Sequence, residues 1–220
     1  MKFTSREDLF TYIYKNNSWG GKDSASGPGS DTSQAQLVVS LLPALLRHLK
    51  ISTLLDIPCG DFHWMASVDL EGINYIGGDI VNEIIHDNKK FECKNIAFQK
   101  IDIINDVLPD SDLIFCRDCL VHFSISDIFL ALNNIFRSKS QYLLTTTFTS
   151  RKQNRDIYTG QWRPLNLQIP PFNFPQPLKT IVEGCTEGNG AFADKTLALW
   201  NTDDIKKHLN FAMQRHAEMR

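Results

Sequence analysis

At 220 residues the chain is long enough to bury a two-layer or three-layer core without disulfides or metals, and it reads as one large domain. Its 23 basic and 25 acidic side chains give a net charge of −2, which excludes a global electrostatic field for nucleic acid or an anionic membrane. The charged start MKFTSREDLF is not a signal peptide, no apolar run approaches the roughly 18 residues of a membrane span, and five cysteines in mostly apolar contexts read as reduced thiols, so a cytoplasmic setting is expected.

Ser5, with Asp8 three residues on, forms a capping-box pattern ahead of Leu9, Phe10, Ile13 and Tyr14, predicting an amphipathic helix over about 6–16. The stretch NNSWGGKDSASGPGSDTS follows, rich in Gly and Ser and with little to bury except Trp19. Residues 1–32 are thus an N-terminal helix plus a segment that is either a flexible linker or a lid closing over a ligand. Residues 33–220 are expected to form the main domain. Thr32 or Ser33 is predicted to cap a long helix that kinks near Pro43. The pattern then alternates: strand 53–57, helix 62–68, strand 73–78, helix 80–90, strands 96–101 and 112–116, helix 125–137 and strand 141–148. Such alternation predicts a parallel sheet covered by helices on both faces. After an insertion at about 149–177, strand-like runs at Pro177–Glu183 and Lys195–Trp200 are separated by a long reversing connection, and Thr202 is expected to cap a last helix.

The chemistry concentrates at LLDIPCGDFHWM, Leu54 to Met65, where an apolar strand turns sharply at Pro58, Cys59 and Gly60. Gly60 lacks a Cβ and lets the backbone approach a ligand. Asp79 ends the next apolar run, at about the twenty-residue offset where nucleotide-binding folds place an acid for ribose hydroxyls. Only one glycine of a richer turn is kept, with Pro58 and Phe62 where others would stand, which argues against a dinucleotide and its pyrophosphate.

The series Asp56, Gly60, Asp79 and Asp102 resembles the motifs of class I S-adenosylmethionine (SAM) dependent methyltransferases, over most of the chain from residue 33 onward. The resemblance implies an α/β, Rossmann-like, doubly wound seven-stranded sheet, mostly parallel with an antiparallel terminal strand pair. It implies SAM as cofactor, with Asp56, Pro58, Cys59, Gly60, Asp61 and Trp64 at the first corner, Asp56 and Gly60 on the methionine side. Asp79 and Ile80 would take the ribose, Asp102 and Ile103 the adenine edge, and Arg117 would contact the cofactor from the fourth strand end.

In DLIFCRDCLVHF, Asp112 to Phe123, the residues Arg117, Asp118, Cys119 and His122 emerge beyond a buried strand. A neutral His122 assisted by Asp118 can take an acceptor's proton, or His122 can anchor the strand-to-helix turn. Cys116 and Cys119 form a lone C-x-x-C without the second pair a structural zinc needs, so no metal is expected. No Pro-Cys, Asn-Pro-Pro-Tyr or Asp-Pro-Pro-Tyr signature is present, nor an Asp-Asn pair after Phe148, and metal-independent oxygen methylation survives the comparison.

The insertion carries Arg151, Lys152, Arg155 and Arg163 against Asp156, with aromatic residues interleaved. Together with Trp19, the residues Arg155, Tyr158, Trp162, Arg163 and Asn166 are expected to hold a saccharide or other polar small-molecule acceptor. The alternative for the insertion is a proline-rich arm packed across the sheet edge. The functional alternatives are an N-methyltransferase acting on protein or nucleic acid, a non-catalytic SAM-binding module, and a nicotinamide-dependent enzyme. A nucleic-acid partner lacks its usual broad basic surface, no membrane partner is expected, and the sequence does not set the oligomeric state.

Overall fold

A computed structural model describes residues 3–209. Its centre is a seven-stranded sheet whose spatial order is β3, β2, β1, β4, β5, β7, β6. The strands are β1 (Thr53–Asp56), β2 (Asn74–Asp79), β3 (Ile96–Lys100), β4 (Leu113–Cys116), β5 (Tyr142–Phe148), β6 (Lys179–Val182) and β7 (Lys195–Asn201). The first five pair in parallel, while β7 runs antiparallel to both β5 and β6. The expected fold class is therefore the observed one.

Period-two alternation explains why the central strands are apolar on both faces. Leu54, Leu113 and Phe115 enter one core with helices α2 (Thr32–His48) and α3 (Asn82–Asn88), whereas Leu55, Ile114 and Cys116 enter the other with α4 (Ile125–Arg137). Ser124 caps α4 by accepting a hydrogen bond from the Asp127 N–H, and Ser5 does the same for Asp8 in α1 (Arg6–Lys15).

Three local expectations need correction: the helix over 62–68, the cap of α2 and the cap of the last helix. Residues 62–68 make no α-helix; Phe62 sits in the left-handed region at φ +57°, and one 3-10 turn, Met65–Ser67, follows. The Phe62 ring explains that conformation, since it is buried against Tyr75, Phe91 and Phe98 at 5.0–5.2 Å. Helix α2 starts at Thr32 with Asp31 at the cap position, and Asp31 spends its carboxylate on the Lys22 and Asp23 N–H groups instead. Pro43 lies inside helix α2, at the position where a kink was expected. The terminal helix, residues 202–209 within the described range, is capped by Asn201, whose Oδ1 accepts from Asp203 and Asp204. Thr202 donates back to the Ser140 and Gln141 carbonyls. Among the described residues no helix is long and apolar enough to cross a membrane.

The insertion has no regular element and packs as an arm. Phe172 and Phe174 are buried, and Phe174 meets the Trp200 ring edge-on at 5.2 Å.

Candidate active site

The strand order reverses between β1 and β4, so connections leave the sheet in opposite directions there and open a crevice at the strand carboxyl ends. A cavity fills it, lined by Asp56, Pro58, Cys59, Gly60, Trp64, Asp79, Ile80, Asp102, Ile103, Arg117, Asp118 and His122 among others. Gly60 makes its turn at φ +54°, held by Asn88, which is buried on α3 and donates to the Gly60 carbonyl at 2.8 Å. The Gly60 N–H in turn donates to Asp79 Oδ2 at 3.2 Å, and the Val81 N–H to Oδ1 at 2.9 Å. Each carboxylate oxygen keeps a further lone-pair site for hydroxyl donors.

Burial pushes the Asp79 carboxyl up to about 6, against the pull of those N–H groups. Asp56 is pushed up to about 8 by burial, although Tyr75 donates to it at 2.6 Å.

The N-terminal segment supplies walls that motif reading did not reach. Arg6, Phe10 and Tyr14 of α1 and Ser26 of the following loop line the same cavity. Arg6 donates to Asp102 at 2.9 Å while its Nε is buried without a partner. Asp61, expected against the cofactor, lies outside this cavity and fastens the loop: it accepts from the Ser24 hydroxyl and the Ala25 N–H, and its own N–H donates to Ser26 Oγ. The loop packs so closely that a Cβ on Gly60 would lie 2.4 Å from Ser26 Oγ. The amphipathic face of α1 and the lone aromatic Trp19 in a possible lid were the signals in the sequence for this arrangement.

A second cavity adjoins the first and shares Trp19, Ser26, Asp118 and His122 with it. Trp19 stacks on the His122 ring at 4.4 Å. His122 Nδ1 lies 3.0 Å from the Gln161 carbonyl, and a carbonyl can only accept, so the neutral ring carries its hydrogen on Nδ1 and leaves Nε2 as the basic nitrogen. Desolvation lowers the His122 pKa to about 4, against the opposing charge of Asp118.

Asp118 is held by two cations, and its charge also favours a protonated His122. Its Oδ2 lies 2.6 Å from Lys195 Nζ and 3.5 Å from Arg117, while Arg117 also donates to Glu183 at 2.6 and 3.0 Å. Burial alone would raise the Asp118 carboxyl, but the ammonium of Lys195 and the guanidinium of Arg117 overcome it and hold it at about 2. Asp118 is thus a fixed negative charge rather than a base. Neither Glu183 nor Lys195 stood out in the sequence, because both sit at the margins of strand-like runs where charged residues are usually solvated.

The remaining acceptor candidates divide. Trp162 lines the second cavity and meets Phe192 at 4.8 Å and Phe148 at 6.0 Å, both edge-on. Arg155 lines only a third, outer cavity beyond Trp162. Tyr158 is 84% exposed and touches none of the three. Arg163 is a correction: it is fully buried and donates to the carbonyls of Leu120, Val121, Phe123 and Arg155, so it fastens the arm to the turn after β4. Asn166 is likewise turned inward onto the Thr149 and Arg151 carbonyls. Among the described residues no group of three or more His, Cys, Asp or Glu is placed to hold a metal ion.

No family profile and no curated protein matches the chain. Solved structures do. Human N-acetylserotonin methyltransferase in complex with SAM superposes with a TM-score of 0.56 at 15% identity, over 90% of this chain and 60% of that one. The N-methyltransferase NodS from Bradyrhizobium japonicum gives 0.56 at 13%, over 77% and 96%. The magnesium protoporphyrin IX methyltransferase from Synechocystis with bound SAM gives 0.56 at 13%, over 76% and 79%. The chain has the class I methyltransferase fold. At this level of identity the likeness concerns the fold, and the chain spans only 60% of the length of the human enzyme. Within the methyltransferase fold the first cavity lies at the switch point between β1 and β4, and the second lies where the N-terminal loop, the turn after β4 and the start of β7 converge.

Proposed function

We propose that this chain is a SAM-dependent methyltransferase acting on an oxygen of a polar, ring-shaped small molecule. The observation that carries the reading is the junction of two cavities at His122, one at the cofactor corner of the fold and one walled by aromatic side chains. The residues of the first cavity fit SAM: a buried carboxylate at the end of β2 with spare lone pairs, an apolar wall from Ile80, Ile101 and Ile103, and an unpartnered Arg6 Nε. Asp79 would take the ribose hydroxyls, Asp102 and Ile103 the adenine edge, and Asp56, Pro58, Cys59, Gly60 and Trp64 the methionine side. When bound, SAM supplies a methyl group on a sulfonium, which leaves as a neutral thioether once an oxygen lone pair takes the methyl.

The chain's own part is to position the acceptor, exclude water and receive a proton. His122 Nε2 is the proton acceptor, neutral at physiological pH because burial depresses its pKa. Residues 16–32 act as the lid, with Trp19 lying over His122 and Ser26 over Gly60. An oxygen acceptor is favoured because Lys195 Nζ in the second cavity can donate hydrogen bonds to it. The four buried cysteines, all free, suit a reducing cytoplasmic setting.

Two measurements test the reading. Calorimetry should show SAM binding, and methyl-labelled SAM with fractionated small metabolites should label a fraction of neutral or phenolic oxygen compounds. A folded protein that does not bind SAM sinks the proposal.

A further inference from the structure

Lys195 stands at the first position of β7, and its side chain is 5% exposed. An ammonium has three N–H donors, and this one makes a single hydrogen bond among the described residues, to Asp118 Oδ2 at 2.6 Å. Glu183 Oε2 lies 3.7 Å away, close enough for charge attraction but too far for a hydrogen bond. Two N–H groups of this cation are therefore free of protein acceptors on the wall of the second cavity, available to a ligand. The space before them is open because residue 29 is glycine. A Cβ there would lie 3.0 Å from Lys195 Nζ and 2.7 Å from Asp118 Oδ2.

The groups in direct contact with this ammonium cancel in charge, and Glu187 adds one more carboxylate to the cavity wall. Arg117 and Lys195 are offset by Asp118 and Glu183 within contacts of 2.6–3.7 Å. A carboxylate entering the site would upset that balance and approach Asp118. A ligand that enters neutral, presents an oxygen, and becomes negative only as its proton departs would not. Aromatic side chains, Trp19, Phe148, Trp162 and Phe192, line the same cavity, Phe148 being the cross-strand neighbour of Lys195.

Resting on the methyltransferase reading, we infer that Lys195 is the ligand for the acceptor's developing oxyanion and that the acceptor is a phenol-like aromatic hydroxyl rather than a saccharide alcohol. The neutral hydroxyl donates its proton to His122 Nε2, the oxygen keeps the electron pair, and the ammonium of Lys195 receives the resulting negative charge through its free N–H groups. His122 becomes an imidazolium and later returns the proton to solvent. The low basicity of His122 points the same way: with its pKa at about 4 it is poorly matched to an aliphatic alcohol, which holds its proton far more tightly than a phenol at about 10.

The test uses the full chain saturated with S-adenosylhomocysteine (SAH) and 4-nitrophenol, whose absorbance reports its own ionisation. Calorimetry first measures SAH affinity; failure to bind SAH defeats the methyltransferase reading and this inference with it. With SAH bound, the ionisation midpoint of bound 4-nitrophenol should fall at least one pH unit below that of the free probe. In Lys195→Gln it should return to within a few tenths of the free value, with SAH affinity within twofold because Lys195 lines the second cavity and not the first. Should Lys195→Gln fold poorly with Asp118 left unpaired, Asp118→Asn/Lys195→Gln removes both charges, and the midpoint shift should vanish there too. No probe binding with SAH bound, an unshifted midpoint, or a shift that survives in the variants would each overturn the role of Lys195 while leaving the methyltransferase reading standing.

Discussion

The first cavity takes most of its walls from residues that follow β1, β2, β3 and β4 in the chain, whereas the second is assembled from the loop before α2, the turn after β4, the arm and the start of β7. The difference is one of contact range. A strand end and the turn leaving it are fixed by local sequence, so Pro58, Gly60, Asp79 and Asp102 could be placed on the crevice by counting along the chain. Lys195 and Asp118, 77 residues apart, meet only because β7 inserts antiparallel between β5 and β6. The first cavity is thus built mostly from local turns, and the second from long-range packing.

The sharpest way to break that division is at His122, which belongs to both cavities. His122→Ala should cut turnover by roughly 10²–10⁴-fold with SAM affinity and melting temperature nearly unchanged. Near-normal turnover in a folded His122→Asn protein would leave the ring as a mere anchor for the Gln161 carbonyl.

Arg163 tests whether the arm is scaffold. Its removal takes a side-chain donor from the carbonyls of Leu120, Val121 and Phe123; the first two keep backbone N–H donors, from Phe123 and Arg163, so Phe123 is the one left unsatisfied, at about 1–3 kcal/mol. Arg163→Ala should therefore lose about 1–3 kcal/mol in urea unfolding. A stable variant with a selective loss of acceptor affinity would restore the binding role first expected of it.

Within the first cavity, Asp79→Ala should weaken SAM binding by at least tenfold, the loss of two charge-assisted hydrogen bonds at about 1.5–3 kcal/mol each. Because Asp79 also accepts from Gly60 and Val81, stability should fall with it, and calorimetry on the folded fraction separates the two effects.

Acidity distinguishes the cavities without mutation. The carboxylate form of Asp79 is the one that accepts ribose hydroxyls, and burial places its pKa at about 6, so SAM affinity should drop as pH falls through that value, by about tenfold at pH 5. Neutral His122 is the form that takes a proton, and its pKa of about 4 keeps it neutral across that window. The acid limb near 6 should accordingly appear in the KM for SAM and not in kcat. A kcat that falls near 6 would count against this assignment.

The smallest effect concerns the lid. Proteolysis within residues 17–31 should slow several-fold when SAM is added, since Trp19 and Ser26 line the first cavity. Unchanged cleavage would separate the loop from cofactor binding.

Much of the architecture was determined by the sequence alone, because apolar runs of strand length and the periodic face of α4 have few ways to be buried. Helix α4 falls at Ile125–Arg137, where the sequence pattern placed it. The local exception is instructive: an aromatic-rich stretch after Gly60 scans as a helix, yet Phe62 gains more by plugging the gap among Tyr75, Phe91 and Phe98, and the backbone follows the ring into the left-handed region. Arg163 scanned as a ligand-binding cation for a similar reason, since sequence shows a charge but not the four carbonyls that surround it. What only the tertiary structure decided is which charged groups are buried together. The Arg117, Asp118, Glu183 and Lys195 cluster comes from segments separated by up to 78 positions, and packing distant segments together sets both its pairing and the two N–H groups it leaves unspent.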